Sequence, residues 1–218
     1  MSSLIDENSK SVGSSVSRLY VLRHGETDWN VQKRLQGRTD TSLNDKGRAQ
    51  AHRHGIELAK ELHAAFPDPL LFEKEIKTWS FVSSPLKRCR ETMEIVLSAL
   101  ELSPHLYEID ERLLEISFGD WEGKSWAELR DIAPQLVQAR FDDPWENCAR
   151  GAETYTDLDK RVLSWYSSLL KKTIAVTHSG PSRIVRAAVS DLPKDEILKL
   201  DSPQDKFIRV NSKGFEWI

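Results

Sequence analysis

Apolar residues fall in short runs separated by polar stretches, and the runs follow two periods. Arg18-Leu19-Tyr20-Val21-Leu22-Arg23 is a compact stretch of strand type that stops at His24-Gly25. Trp79-Ser80-Phe81-Val82-Ser83 and Thr173-Ile174-Ala175-Val176-Thr177 read as two further buried strands. Between them the period lengthens. Asn44 is placed to cap a helix over Asp45–Ala65, ended by Phe66-Pro67-Asp68-Pro69. After Pro85, residues Leu86, Cys89, Met93, Val96, Leu97 and Leu100 recur at helical spacing, as do Tyr155, Leu158, Val162, Trp165 and Leu169. Ser125 with Glu128 forms a capping box that opens a short helix, and Thr154 with Asp157 is a weaker version. Pro181 suits the first turn of a helix following His178. Short strands are expected near 105–109, 206–210 and 215–218. The polar stretches 26–43 and 110–123 have no period, and loops of such length inside a domain are usually functional.

Strands alternating with helices imply an α/β sandwich with a largely parallel sheet. Residues 1–17 hold seven serines and almost nothing to bury, so they read as a flexible tail. The remainder, 18–218, reads as a single domain with a small cap around 110–150.

Composition narrows the class. The 218 residues suffice for a sizeable core, and two cysteines can neither staple a secreted scaffold nor form a four-thiolate zinc site. A net charge of −3 and a pI near 6.1 argue against a general nucleic-acid surface. No apolar run approaches the roughly 18 residues that span a bilayer, and the start lacks an apolar stretch behind a basic flank. The chain is expected to be cytoplasmic. Yet residues 18–53 carry eight Lys+Arg against four Asp+Glu, a local net of +4. Positive charge is concentrated around His24.

Three of the strands run straight into polar residues: Arg23-His24-Gly25, Ser83-Ser84-Pro85-Leu86-Lys87-Arg88 and Thr177-His178-Ser179-Gly180. In open α/β sheets ligands bind beyond the carboxyl ends of the strands, so His24, His178, Arg23 and Arg88 are expected to meet at one edge. Arginine offers a planar fork of donors that matches phosphate oxygens. Unprotonated imidazole is a nucleophile toward phosphorus, and nearby arginines disfavour imidazolium. One ring nitrogen must keep a proton, held by a backbone carbonyl, so that the other attacks. Which one does so is open at the level of sequence.

Leu22-Arg23-His24-Gly25-Glu26-Thr27, with Asn30, Leu35-Gln36-Gly37, Asp40 and Leu43, resembles the first block of the histidine phosphatase superfamily, also called phosphoglycerate mutase-like. Four later blocks resemble it in order: Ser83 to Arg88 with Glu91-Thr92; Leu113-Leu114-Glu115 with Gly119 and Trp121-Glu122-Gly123; Arg150-Gly151-Ala152-Glu153-Thr154; and Val176-Thr177-His178-Ser179-Gly180. The similarity spans 18–189. It implies a three-layer α/β/α sandwich with a mainly parallel central sheet, and transient phosphorylation of His24. Arg23, Arg88 and His178 would hold the phosphoryl group, with Asn30 adding a donor. Gln36 and Gly37 would line the entrance, and Ser179 and Gly180 would lie near the phosphate. Glu115 would act as acid and then base. No metal or other cofactor is implied, because the positive pocket stabilises the transferring charge. Leu114, Ser179 and Ala152 depart from the usual arginine, glycine and glycine.

Other readings compete with parts of this. Glu111 is an alternative acid/base in the same acidic segment, and Glu122 reads as a structural hydrogen-bonder. His52, His54 and His63 read as surface residues, and Cys89 and Cys148 as structural. Gly123-Lys124-Ser125 imitates a P-loop, but Phe118 stands where that loop needs glycine. Trp121, Trp126 and Trp145 either wall the site or pack the cap.

The same phosphohistidine serves a phosphatase or a mutase. Mutases of the family carry a Glu-Arg-x-Tyr-Gly block and an Arg-Arg pair that grip glycerate. Here the block is Glu115-Ile116-Ser117-Phe118-Gly119 and no Arg-Arg pair occurs, which favours a phosphatase of a small phosphomonoester. Priming by 2,3-bisphosphoglycerate belongs only to the mutase alternative, and a phosphate-binding module without turnover is a third reading. The expected partner is a small-molecule substrate, with no nucleic acid and no membrane, for a monomer or homodimer.

Overall fold

The computed structural model describes residues 18–211 and 214–218; the tail expected over 1–17 lies outside them. The first apolar run forms β1 (Leu19–Arg23). The stretch read as irregular then holds a one-turn helix, α1 (Asp28–Val31), because Thr27 and Asn30 cap each other reciprocally. Asn44 accepts from the Gly47 amide and opens α2 (Asp45–Ala65). Asp68-Pro69, read as a helix end, also begins one: the Asp68 carboxylate accepts from Leu70 and Leu71 amides at the start of α3 (Pro69–Ile76). β2 (Ser80–Ser83), α4 (Lys87–Ala99) and β3 (Glu108–Ile109) follow.

The acidic segment makes two 3₁₀ turns, Glu111–Leu113 and Gly119–Trp121. Ser125 and Glu128 complete the expected capping box of α5 (Trp126–Ile132). Pro134 then starts an additional helix, α6 (Pro134–Asp142). Thr154 and Asp157 form a complete box on α7 (Tyr155–Ser167), ahead of β4 (Thr173–Thr177) and α8 (Ser179–Ser190). The chain ends through α9 (Lys194–Ile197), β5 (Ile208–Asn211) and β6 (Gly214–Trp217).

Among the described residues the strands form a six-stranded sheet in the order β3-β2-β4-β1-β5-β6. The β3-β2, β2-β4 and β4-β1 pairings are parallel, and β5 and β6 add antiparallel strands at one edge. β4 is buried at every position, as a central parallel strand covered on both faces should be. Alternate residues feed two cores. Leu19, Val21 and Ala175 pack with Val162, Trp165 and Ile184 of α7 and α8. Tyr20, Leu22, Ile174 and Val176 pack with Leu58, Leu62, Met93 and Leu97 of α2 and α4. Each fully buried side chain of this size contributes about 1.5–3 kcal/mol.

His54 corrects the surface reading. It is 3% exposed, on the same face of α2 as Ala51, Leu58 and Leu62. Its Nε2 lies 3.0 Å from the Gln204 carbonyl, and its ring meets Phe207 edge-on. His52 and His63 are exposed, as expected. Cys89 is buried, but Cys148 is exposed.

The chain leaving β1 is pressed against the start of α2 at two glycines. A Cβ on Gly25 would lie 2.2 Å from the Gly47 carbonyl oxygen, and one on Gly47 would lie 2.1 Å from that of Glu26. Both partners are backbone, so neither can swing aside. Gly47→Ala is therefore expected to destabilise the fold by about 1–3 kcal/mol through overpacking. Urea denaturation checks this; an unchanged midpoint would show that the two backbones are not held in contact.

Candidate active site

β1, β4 and β2 are adjacent in the sheet, and their carboxyl ends deliver His24, His178 and Ser84 to one edge. There a cleft of about 160 Å³ is lined by Arg23, His24, Asn30, Arg88, Glu115 and Ser179 among others. Gln36, Gly37 and Gly180 also reach it. His178 is fully buried beside His24, with ring centroids 5.1 Å apart.

The His24 Nδ1–H donates to the Gly25 carbonyl at 2.7 Å. That bond fixes the tautomer and leaves Nε2 as the unprotonated nitrogen. Burial, then the charges of Arg88 and Arg23, hold the imidazole well below its ordinary pKa against the opposing pull of the Gly25 bond. Burial and the charge of Arg88, then His24, likewise keep His178 neutral. The Ser84 hydroxyl meets His178 Nε2 at 2.8 Å, and Cys89 Sγ lies 3.4 Å from the same nitrogen.

Arg88 is fully buried and clamped by the carbonyls of Thr39 and Gly37, at 2.8 and 2.7 Å. Arg23 donates to the Ser202 carbonyl. Burial, with like charges on Arg183 and Arg88, lowers Arg23 to about 10 despite the favourable charge of Glu115. The Nε atoms of both Arg23 and Arg88 are buried with no hydrogen-bond partner. Buried orphan donors cost about 1–3 kcal/mol each or more when charged, so both guanidinium groups are held here at an energetic cost.

Glu115 Oε1 accepts from the amides of Ile116 and Gly180, at 2.9 and 3.1 Å, which leaves Oε2 unpaired among the described residues. Gly180 thus spends its N–H on Glu115. Glu111 is exposed on its 3₁₀ turn and does not line the cleft. Glu122 is the hydrogen-bonder read from sequence: it accepts from the amides of Arg38, Thr39 and Phe118 and from the Thr39 hydroxyl. Gly37, at φ +50°, sits so close that a Cβ would be 2.1 Å from Glu122 Oε1.

Asn30 Oδ1 is occupied by the Thr27 amide and by Gln204 Nε2, so its own NH₂ makes no bond among the described residues. Gln204 also donates to the His24 carbonyl at 3.2 Å. Nothing in the sequence pattern pointed to Gln204, which comes from a segment without periodicity. Arg183 and Tyr155 also line the cleft. Arg183 lies one helical turn beyond Ser179, a spacing that would have found it. The tryptophans do not wall the site: Trp121 packs with Leu129, Val137 and Ala149, and Trp126 flanks that cluster. Phe118 and Ile116 face the cleft instead.

The model of the histidine phosphatase superfamily (branch 1) matches residues 19–217, and the chain belongs to that family. A glucosyl-3-phosphoglycerate phosphatase of Mycolicibacterium vanbaalenii is 33% identical over 193 residues, covering 83% of this chain and 77% of the relative. A metal-independent phosphoserine phosphatase of Arabidopsis thaliana is 28% identical over 180 residues, covering 80% and 69%. Among solved structures, a mycobacterial glucosyl-3-phosphoglycerate phosphatase complexed with VO3 matches with a TM-score of 0.69 at 27% identity, over 93% of this chain and 97% of that one. Family and relatives together make the chain a phosphoric monoester hydrolase. Among the described residues no helix is long and apolar enough to cross a membrane.

His24, His54 and His178 are all held neutral in the folded state, burial being the largest cause for each. In the unfolded chain they take up protons near pH 6.5, so the unfolded state binds more protons below that value. Their stability contribution is therefore present above about pH 6.5 and lost as the pH falls, by up to about 1.4 kcal/mol per pH unit for each histidine. Urea midpoints at pH 7.5 and pH 5.5 check this. A midpoint that does not fall between them would contradict neutral burial.

Proposed function

We propose that the chain hydrolyses a small phosphorylated metabolite in two steps through a phosphohistidine at His24. The observation that carries this is the His24 Nδ1–H bond to Gly25, which leaves Nε2 free in a cleft shared with Arg23, Arg88 and Glu115. In the first step the Nε2 lone pair attacks phosphorus and the ester P–O bond breaks. The Glu115 carboxylic acid gives its proton to the departing alkoxide. In the second step water attacks the phosphohistidine, Glu115 takes a proton from that water, and the P–N bond returns its electrons to Nε2 as phosphate leaves.

Arg23 and Arg88 supply the positive charge that phosphoryl transfer needs, and their Nε–H groups, which have no partner in the protein, are assigned to equatorial oxygens. Asn30 adds its free NH₂. His178, neutral beside His24, is assigned to the same oxygens, and the Ser179 side chain to the rim. The reading calls for no metal and no other cofactor. Ile116 and Phe118 on the cleft wall support hydrolysis over mutase chemistry, since neither can grip a glycerate for rephosphorylation. In this reading the protein works in the cytoplasm, as a monomer or homodimer, on a small molecule rather than a nucleic acid or membrane.

His24→Ala is expected to abolish phosphate release from every phosphomonoester tested. Glu115→Gln is expected to lower kcat by about 10²–10⁴-fold, the usual worth of a positioned acid/base. Steady-state phosphate release reads both. Turnover that survives His24→Ala, or a Glu115→Gln variant with unchanged kcat, would overturn the assignment.

A further inference from the structure

The cleft is lined by more arginines than the two that flank His24. Arg23 and Arg88 flank His24 with their orphan Nε atoms, and two further arginines, Arg34 and Arg183, line the same space. Arg34 is accounted for: it is paired with Glu128 at 3.4 Å and donates to the Gly123 carbonyl. Nearby arginines on α7 and α8 are paired as well, Arg161 with Glu153 and Arg186 with Asp201. Arg183 has no such carboxylate among the described residues. Its Nε donates to the Leu200 carbonyl at 2.7 Å, which sets the plane of the guanidinium and leaves the two terminal nitrogens. Tyr155 lines the cleft together with Arg183, whose charge acts on its buried hydroxyl. The adjoining wall is Leu35, Ile116 and Phe118, whose side chains donate nothing.

We propose that Arg183 and Tyr155 form a second anion-binding position in the cleft, which takes a carboxylate of the substrate, so that the preferred substrates are phosphomonoesters of small hydroxy acids. The inference rests on the phosphatase reading of His24 and deepens it. Two terminal guanidinium nitrogens and one hydroxyl match the two oxygens of a planar carboxylate. A second phosphoryl group would present three oxygens to that wall and leave one without a donor. Arg183 also repels Arg23, and an anion between them relieves that repulsion.

Matched substrate pairs test this, since each pair differs only in the carboxylate: O-phosphoserine against O-phosphoethanolamine, and 3-phosphoglycerate against glycerol 1-phosphate. The wild-type protein is expected to prefer the acid of each pair by about tenfold or more in kcat/KM, mainly through KM, in line with a charge-assisted hydrogen-bond pair. Arg183→Met is expected to bring that ratio close to one, Arg183→Lys to keep part of it, and Tyr155→Phe to reduce it. The ratio is taken within one variant, so a general loss of activity cancels. Equal kcat/KM for both members of each pair in the wild type would overturn the carboxylate position while leaving the phosphatase reading intact. So would preference for glycerol 1,3-bisphosphate over 3-phosphoglycerate, or a preference undiminished in Arg183→Met. Absence of phosphate release from all of them would overturn both.

Discussion

The hydrogen bond from His24 Nδ1 to the carbonyl of the next residue, Gly25, decides which ring nitrogen keeps its lone pair, and much of the molecule serves to keep it. That carbonyl is fixed because Gly25 is pressed against Gly47 with no room for a Cβ on either. Gly47 is fixed in turn by the Asn44 cap and by an α2 whose apolar face is sunk in the core beside α4. A second tie runs from the opposite end of the sequence, where Gln204 holds the His24 carbonyl and Asn30 together. The unprotonated nitrogen of His24 is therefore aimed by backbone and core packing, not by a flexible side-chain partner.

Around it, the structure concentrates positive charge that Glu115 and its neighbours offset only in part. Arg88 is held by two backbone carbonyls, those of Thr39 and Gly37, which orient it without cancelling its charge. The loop that offers those carbonyls is itself pinned by the Glu122 carboxylate. Burying arginines beside two neutral imidazoles opposes folding, and the unpaired Nε atoms of Arg23 and Arg88 show that the opposition is relieved only in part within the protein. An anion relieves electrostatic strain of this kind, so in the proposed reaction the arrangement that disfavours imidazolium would also favour a phosphoryl group.

Much of this was legible from the chain alone, because strand ends carry their own signal. Short apolar runs that stop at His24, Ser84 and His178 place those residues at one sheet edge once a parallel sheet is inferred, and the capping pairs at Ser125 and Thr154 mark helix starts by local hydrogen bonding. What was not legible depends on contacts distant in sequence or on two signals in one place. Asp68-Pro69 both ends α2 and starts α3, and only the first meaning was read. His54 looks like a surface residue by type, but its register with Leu58 and Leu62 puts it inside. Gln204 has no pattern to betray it, since its value comes from reaching His24 across 180 positions. The cap tryptophans could have gone either way until packing showed Trp121 among aliphatic neighbours.

The most direct measurement is the position of the phosphoryl group on the enzyme. Protein mixed with a slowly turned-over phosphomonoester, quenched in alkali and examined by phosphorus-31 NMR and peptide mass mapping, should carry phosphate on Nε2 of His24. Phosphate on Nδ1 of that ring, or on any other residue, would contradict the role given to the Gly25 carbonyl.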